Sequence, residues 1–265
     1  MRKYMAVAKI LFKAQMAYRF DVIMTAVSTI WRVVFAWILW NAIYAHHDIV
    51  GGFTLQAMLS YYVINSFLAT MDMSGGVSGE VSSRIKEGTY TKFMVIPSNP
   101  QLHFLSQTVG ASLFYGLFAV LAAVLCAFVF RINLVFTTDP IQILVAVAVF
   151  LLGTVFMNSF QFFVGIWAFK FQDISFLLYT FPAIIQFFKG EFVPLTLLPT
   201  ALTDALHFFP FTHISFTPTM LLMGTVGLSE GLFGLAVLAV WTLIMMIVSE
   251  LTYKRLRTKF EGVGI

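Results

Sequence analysis

Charged side chains are sparse in this sequence, so those that interrupt apolar runs are where chemistry is to be sought. Arg32 stands in the middle of VIMTAVSTIWRVVFAWILW. A guanidinium centred in a bilayer costs at least about 2.5 kcal/mol on insertion scales, so it must face protein or water. At 1.5 Å per residue Arg32 lies about 16 Å above Asp21, and Asn65 lies about 18 Å below Phe53 on an antiparallel neighbour. The two therefore sit at similar depth, and Asn65 is the expected partner. Asp72 is nearer the cytoplasmic edge and reaches Arg32 only by snorkelling. Arg32 reads either as hydrogen-bonded structure or as part of a substrate path.

A second group lies in the loop SGGVSGEVSSRIKEGTYTKFMVIPSNPQ, Ser74 to Gln101. Glu80, Arg84 and Glu87 share a helical face at i, i+4 and i+7, Val81 and Ile85 share the neighbouring face, and Gly88 is a suitable stop. The spacing makes either a short amphipathic helix with a charged outer face or a solvated loop.

Catalytic and cofactor chemistry find no support. There is no GxxxxGK[ST] phosphate loop, and no glycine-rich turn follows a strand pattern, so nothing here cradles a nucleotide. His46, His47, His103, His207 and His213 fall near span ends or in a proline-rich segment without metal-ligand spacing, so no metal site is expected. Cys126 is the single cysteine and reads as packing.

The elements that must position these residues belong in a membrane. Sixty per cent of the 265 residues are hydrophobic and 11% charged, against roughly 25% charged in soluble domains, and the mean hydropathy is +0.89. The pI of 9.2 does not point to nucleic acid, because the basic residues sit at the ends of apolar runs. Six spans are expected: Val22 to Tyr44, Phe53 to Met73, Leu102 to Phe130, Ile141 to Phe169, Ile174 to Phe188 and Gly231 to Val248. The fifth is short, about 22 Å of helix. Pro194, Pro199, Pro210 and Pro218 then break the apolar segment Phe192 to Gly224. It reads as short helices that re-enter the outer leaflet or cap the bundle, or as one more kinked span.

Residues 1–20 place Tyr4, Val7, Leu11, Ala14 and Tyr18 on one stripe with Arg2, Lys9 and Lys13 opposite, the pattern of a helix lying in the membrane surface or of a basic tail. No cleavable leader is expected. With six spans and both termini cytoplasmic, the inner segments carry Arg2, Lys3, Lys9, Lys13, Arg19, Arg84, Lys86, Lys92, Lys170, Lys254, Arg255, Arg257 and Lys259. The outer segments carry Arg131 and Lys189. This asymmetry sets the orientation. The fold class is thus an all-α integral membrane protein forming one domain over residues 1–265.

Three segments, in order, carry a family resemblance: AYRFD at Ala17 to Asp21, IKEGTYTKFMVIPSNP at Ile85 to Pro100, and the proline pairs of FVPLTLLPTAL and FPFTHISFTPTMLLMG. The sequence resembles the ABC-2 type transporter permeases, and among them the small bacterial six-span export permeases. The resemblance implies an elbow helix at 1–20, a coupling helix within 78–88 and extracellular re-entrant helices at 192–224. It implies a pair of permeases, like or unlike, with two cytosolic ATPase subunits that hold the ATP and Mg, in a bacterial cytoplasmic membrane. Glu80, Arg84, Glu87 and Gly88 become the ATPase-coupling residues, and Arg32 and Asn65 the intramembrane polar ones. Thr89 and Tyr90 depart from the acidic residues common after the loop glycine. Thirty phenylalanines and 13 methionines suit a hydrophobic or amphipathic cargo such as a drug, peptide antibiotic or lipid. The competing reading is a secondary transporter or channel that needs no ATP.

Overall fold

A computed structural model describes residues 2–95, 99–171 and 173–259. Ile96, Pro97 and Ser98 of the loop motif lie outside the described residues. The chain forms α1 (Arg2–Gln15), α2 (Arg19–Tyr44), α3 (Leu55–Met71), α4 (Val77–Lys86), α5 (Thr91–Val95) and α6 (Pro100–Val129). It continues with α7 (Pro140–Ile166), α8 (Ser175–Phe188), α9 (Thr200–Leu206), α10 (Thr212–Leu222) and α11 (Leu228–Leu256). No strand occurs among the described residues.

Local sequence fixes several starts. The Asn99 side chain accepts the Leu102 amide at 3.2 Å with Pro100 in the first turn, and Asp139 accepts the Ile141 amide at 2.9 Å ahead of Pro140. A side-chain oxygen satisfies an orphan donor, and proline gives up an amide the first turn does not use. Helix α7 is the hub: α4, α10 and α11 pack on it, while α3 packs on α2, α6 and α10. The amphipathic helix α1 lies along α6, with Phe12 edge-on to Phe114 at 5.5 Å.

Four helical stretches, Phe20–Tyr44, Pro100–Val129, Pro140–Phe169 and Leu228–Leu256, have the length and apolarity to cross a bilayer. Helices also stand at the second and fifth expected spans, but α3 has 17 residues and α8 has 14. At 1.5 Å per residue they measure about 26 and 21 Å, short of a core of roughly 30 Å. Among the described residues, four helices long enough to span and two shorter ones thus stand where six spans are expected.

Beyond α8 the chain forms a turn at Leu195–Leu197 and then α9 and α10. All eleven residues of α10 are buried, among α3, α7 and α11. Broken backbone at membrane depth needs such cover, since lipid offers no hydrogen bonds. Two tyrosines of α3 supply the rest: Tyr61 donates to the Gly190 carbonyl at 2.6 Å and Tyr62 to the Phe192 carbonyl at 2.8 Å.

Candidate functional site

Helix α8 ends in a way its last residues dictate. Gly190 takes φ +71°, the Gly190 amide donates to Phe187 and the Glu191 amide to Gln186. This is a Schellman closure, which glycine enters without steric cost. The turn sends Lys189 and Glu191 inward rather than out to solvent. Lys189 Nζ lies 2.8 Å from Glu191 Oε1 and 3.0 Å from Asp72 Oδ2, with the three side chains 7%, 7% and 3% exposed. Asp72 is the residue after α3, and its other oxygen accepts the Ser74 amide and hydroxyl at 3.2 and 2.6 Å. Arg32 completes the cluster at 4.0 Å from Glu191 Oε2. Sequence reasoning assigned Lys189 to an outer loop; the structure places it inside the bundle. The signal was the triplet Lys189, Gly190, Glu191 closing an apolar helix too short to span.

Arg32 is about 18 to 20 Å from either end of α2 at 1.5 Å per residue, so the cluster lies level with the middle of that helix. Asn65 does not meet it. Its Nδ2 donates to Thr219 Oγ1 at 3.4 Å, on α10. The two residues do share a depth, because Thr29 on α2 and Thr70 on α3 touch at 2.8 Å, three and five residues away. The azimuth decides otherwise: five residues at about 100° each turn Asn65 about 140° from the face that Thr70 presents to α2. Two hollows flank the cluster. One of about 140 Å³ lies over Asp72, Gln161 and Lys189; one of about 560 Å³ opens beside Arg32, between α2, α3 and the end of α8.

The second group forms helix α4. Arg84 donates to Glu80 Oε1 from Nε at 3.0 Å and Nη2 at 2.7 Å, and Ser83 donates to Glu87 at 2.6 Å. Gly88, at φ +73°, ends the helix. Val81 and Ile85 face inward, while Ser83, Lys86 and Glu87 are exposed. The helix lies so close to α7 that a β-carbon on Gly165 would come within 2.7 Å of Val81 Cβ and 2.9 Å of the Ser78 carbonyl. Lys86 reaches Asp173, ahead of α8, at 3.4 Å. The Ser175 hydroxyl and amide hold the Asp173 carboxyl below its usual range, and Lys86 adds to this. Beyond Gly88, the ring of buried Tyr90 packs against Phe93, Phe169 and Tyr253, joining the loop to the C-terminal ends of α7 and α11.

Residues 30–264 match the family described as ABC-2 family transporter protein. The chain belongs to this family. ABC-2 permeases are the membrane component of transporters, which fits a multi-pass helical chain and implies an ABC ATPase as partner. No curated protein matches the chain. In this permease the match begins just before Arg32 and takes in α4, the charge cluster and α10.

Proposed function

We propose that this permease exports a hydrophobic or amphipathic substrate, such as a drug, peptide antibiotic or lipid, with energy from ATP hydrolysed by a pair of separate cytosolic ATPase subunits. The partner holds the ATP and Mg. A second permease, identical or related, completes the path, and both termini face the cytoplasm of a bacterial cell across its inner membrane. In this reading the chain crosses six times, with the short α3 and α8 crossings completed by the chain beyond their ends, α1 is the interfacial elbow, and α9 and α10 re-enter from outside.

The observation that carries this reading is α4. It presents an outer face of Ser83, Lys86 and Glu87 with Arg84 and Glu80 half-exposed, while its inner face is locked to α7 at Gly165. A push on the outer face therefore moves α7 directly, α11 through Tyr90 and Tyr253, and α8 through Lys86 and Asp173. The contacts thus direct the stroke to α7 and α11, with α8 reached through the ion pair. A shift of α8 pulls on Lys189 and Glu191, so the charge cluster is the gate that the stroke must disturb.

One observation favours the ATP-independent reading. Four ionisable groups near mid-depth are what ion-coupled transporters use. The two readings separate on a purification in mild detergent. An ATPase recovered in comparable amount with the native chain supports the ATP-driven exporter. Active transport by the chain with no ATPase present supports the alternative.

A further inference from the structure

Arg32 is the member of the charge cluster with the poorest partner. Its side chain is 44% exposed, its ion pair with Glu191 is 4.0 Å long, and it donates no hydrogen bond among the described residues. Glu191 is drawn the other way, to Lys189 at 2.8 Å, and Lys189 is shared with Asp72 at 3.0 Å. The two carboxylates thus serve the inner ammonium first. The guanidinium keeps its five N–H donors without a close acceptor, on an apolar helix where an unpaired charge is costly.

The space beside it has a definite character. The cleft of about 560 Å³ falls in the size range of small-molecule sites. Trp31, Phe35 and Leu39 of α2 form one wall, with Trp31 edge-on to Phe35 at 5.0 Å, and Tyr62 and Phe192 face them. A single cation at the inner corner of an aromatic cleft selects its occupant by charge and shape. A neutral or cationic compound leaves the guanidinium unpaired. A free inorganic anion pairs with it and leaves the aromatic walls uncovered.

We propose that this cleft binds an acidic amphiphile, whose carboxylate or phosphate headgroup pairs with Arg32 and whose apolar chain lies along Trp31, Phe35 and Leu39. A headgroup in bidentate contact with the guanidinium releases Glu191 wholly to Lys189, so occupancy of the cleft is felt at the end of α8. As a statement about the transported substrate this rests on the exporter reading; as a statement about binding it does not.

The test is binding by the full-length permease in neutral detergent, at a pH that ionises the ligand. A brominated long-chain fatty acid is compared with its methyl ester. Trp31 quenching is read as the difference between the native chain and Trp31→Phe. The acid is expected to bind about tenfold or more tightly than the ester, the factor one charge-assisted pairing supplies. Arg32→Gln is expected to make the two ligands equal, and Phe35→Ala to weaken both while keeping their ratio. Equal binding of acid and ester by the native chain overturns the proposal without reference to any variant. So does an acid preference that survives Arg32→Gln, or competition by inorganic phosphate alone as strong as by the acid. Failure of both ligands to quench, with cysteines at position 35 of two copies cross-linking in native membranes, assigns the cleft to a permease partner and also overturns it. Acid-selective binding in a chain that exports nothing upholds the site and sinks the exporter reading; ATP-driven export with acid and ester bound alike sinks the site alone.

Discussion

Replacing Lys189 by Met removes the ammonium and leaves two buried carboxylates facing the gap. In the native chain that ammonium sits 2.8 Å from Glu191 and 3.0 Å from Asp72. At an effective dielectric of about 20 each pair carries an attraction on the order of 5 to 6 kcal/mol before the opposing desolvation is subtracted. The carboxylates fare unequally. Asp72 keeps the Ser74 amide and hydroxyl on its other oxygen, whereas Glu191 keeps only Arg32 at 4.0 Å. Breaking a buried pair from one side typically costs about 3 to 5 kcal/mol, and Lys189→Met is expected in that range. Adding Glu191→Gln removes the worse-placed anion and is expected to recover about 1 to 2 kcal/mol, a coupling typical of residues in one network. The assay is unfolding in mixed micelles titrated with a denaturing detergent, followed by tryptophan fluorescence. If Lys189→Met stays within about 1 kcal/mol of the native chain, or Glu191→Gln adds its full single cost on top, the charge cluster does not hold the end of α8 as described.

Three further outcomes follow from the same structure. Gly165→Leu puts side-chain atoms into Val81 and the Ser78 carbonyl; with overpacking costing about 1 to 3 kcal/mol, α4 is expected to shift. The assembled transporter should then still hydrolyse ATP while exporting little, read as ATP consumed per substrate moved. Arg84→Glu breaks an i, i+4 pair with Glu80 worth only about 0.3 to 0.5 kcal/mol. Stability should therefore hardly change while hydrolysis uncouples from transport, and normal efflux by this variant would remove α4 from the account. Tyr61→Phe strips the donor from a 2.6 Å bond to the Gly190 carbonyl at a fully buried site. A loss of about 1 to 3 kcal/mol is expected in the unfolding assay, with less from Tyr62→Phe, which is 8% exposed and borders the cleft beside Arg32.

What the sequence discloses follows the physics that is local in the chain. Asn99 with Pro100, and Asp139 with Pro140, announce the starts of α6 and α7 because cap and proline act within a few residues. Glu80, Arg84 and Gly88 announce α4 for the same reason: the ion pair spans one turn and the glycine permits the left-handed stop. Depth is also legible, since rise per residue converts position into height, and Arg32 and Asn65 do lie at similar levels. Rotation about the helix axis is not, because it is set by packing between distant segments. That is why Asn65 faces Thr219 of α10, and why Glu191, 159 residues from Arg32 in sequence, stands nearest its guanidinium. The inward turn of Lys189 hides from sequence reasoning for a related reason. A lysine after an apolar run ordinarily marks the membrane boundary, and only the shortness of α8 warns that the boundary has not been reached.

The central claim is that α4 couples an ATPase to a substrate path through this chain, and transport in vesicles tests it most directly. The permease is reconstituted in lipid vesicles with its copurifying ATPase, and movement of a fluorescent hydrophobic substrate is followed with ATP and Mg, with ATP alone, and with Gly165→Leu in place of the native chain. The account predicts movement away from the ATPase-bearing side only with ATP and Mg, and hydrolysis without movement in the variant. Transport that proceeds equally without ATP, or that Gly165→Leu leaves at the native rate per ATP hydrolysed, contradicts it.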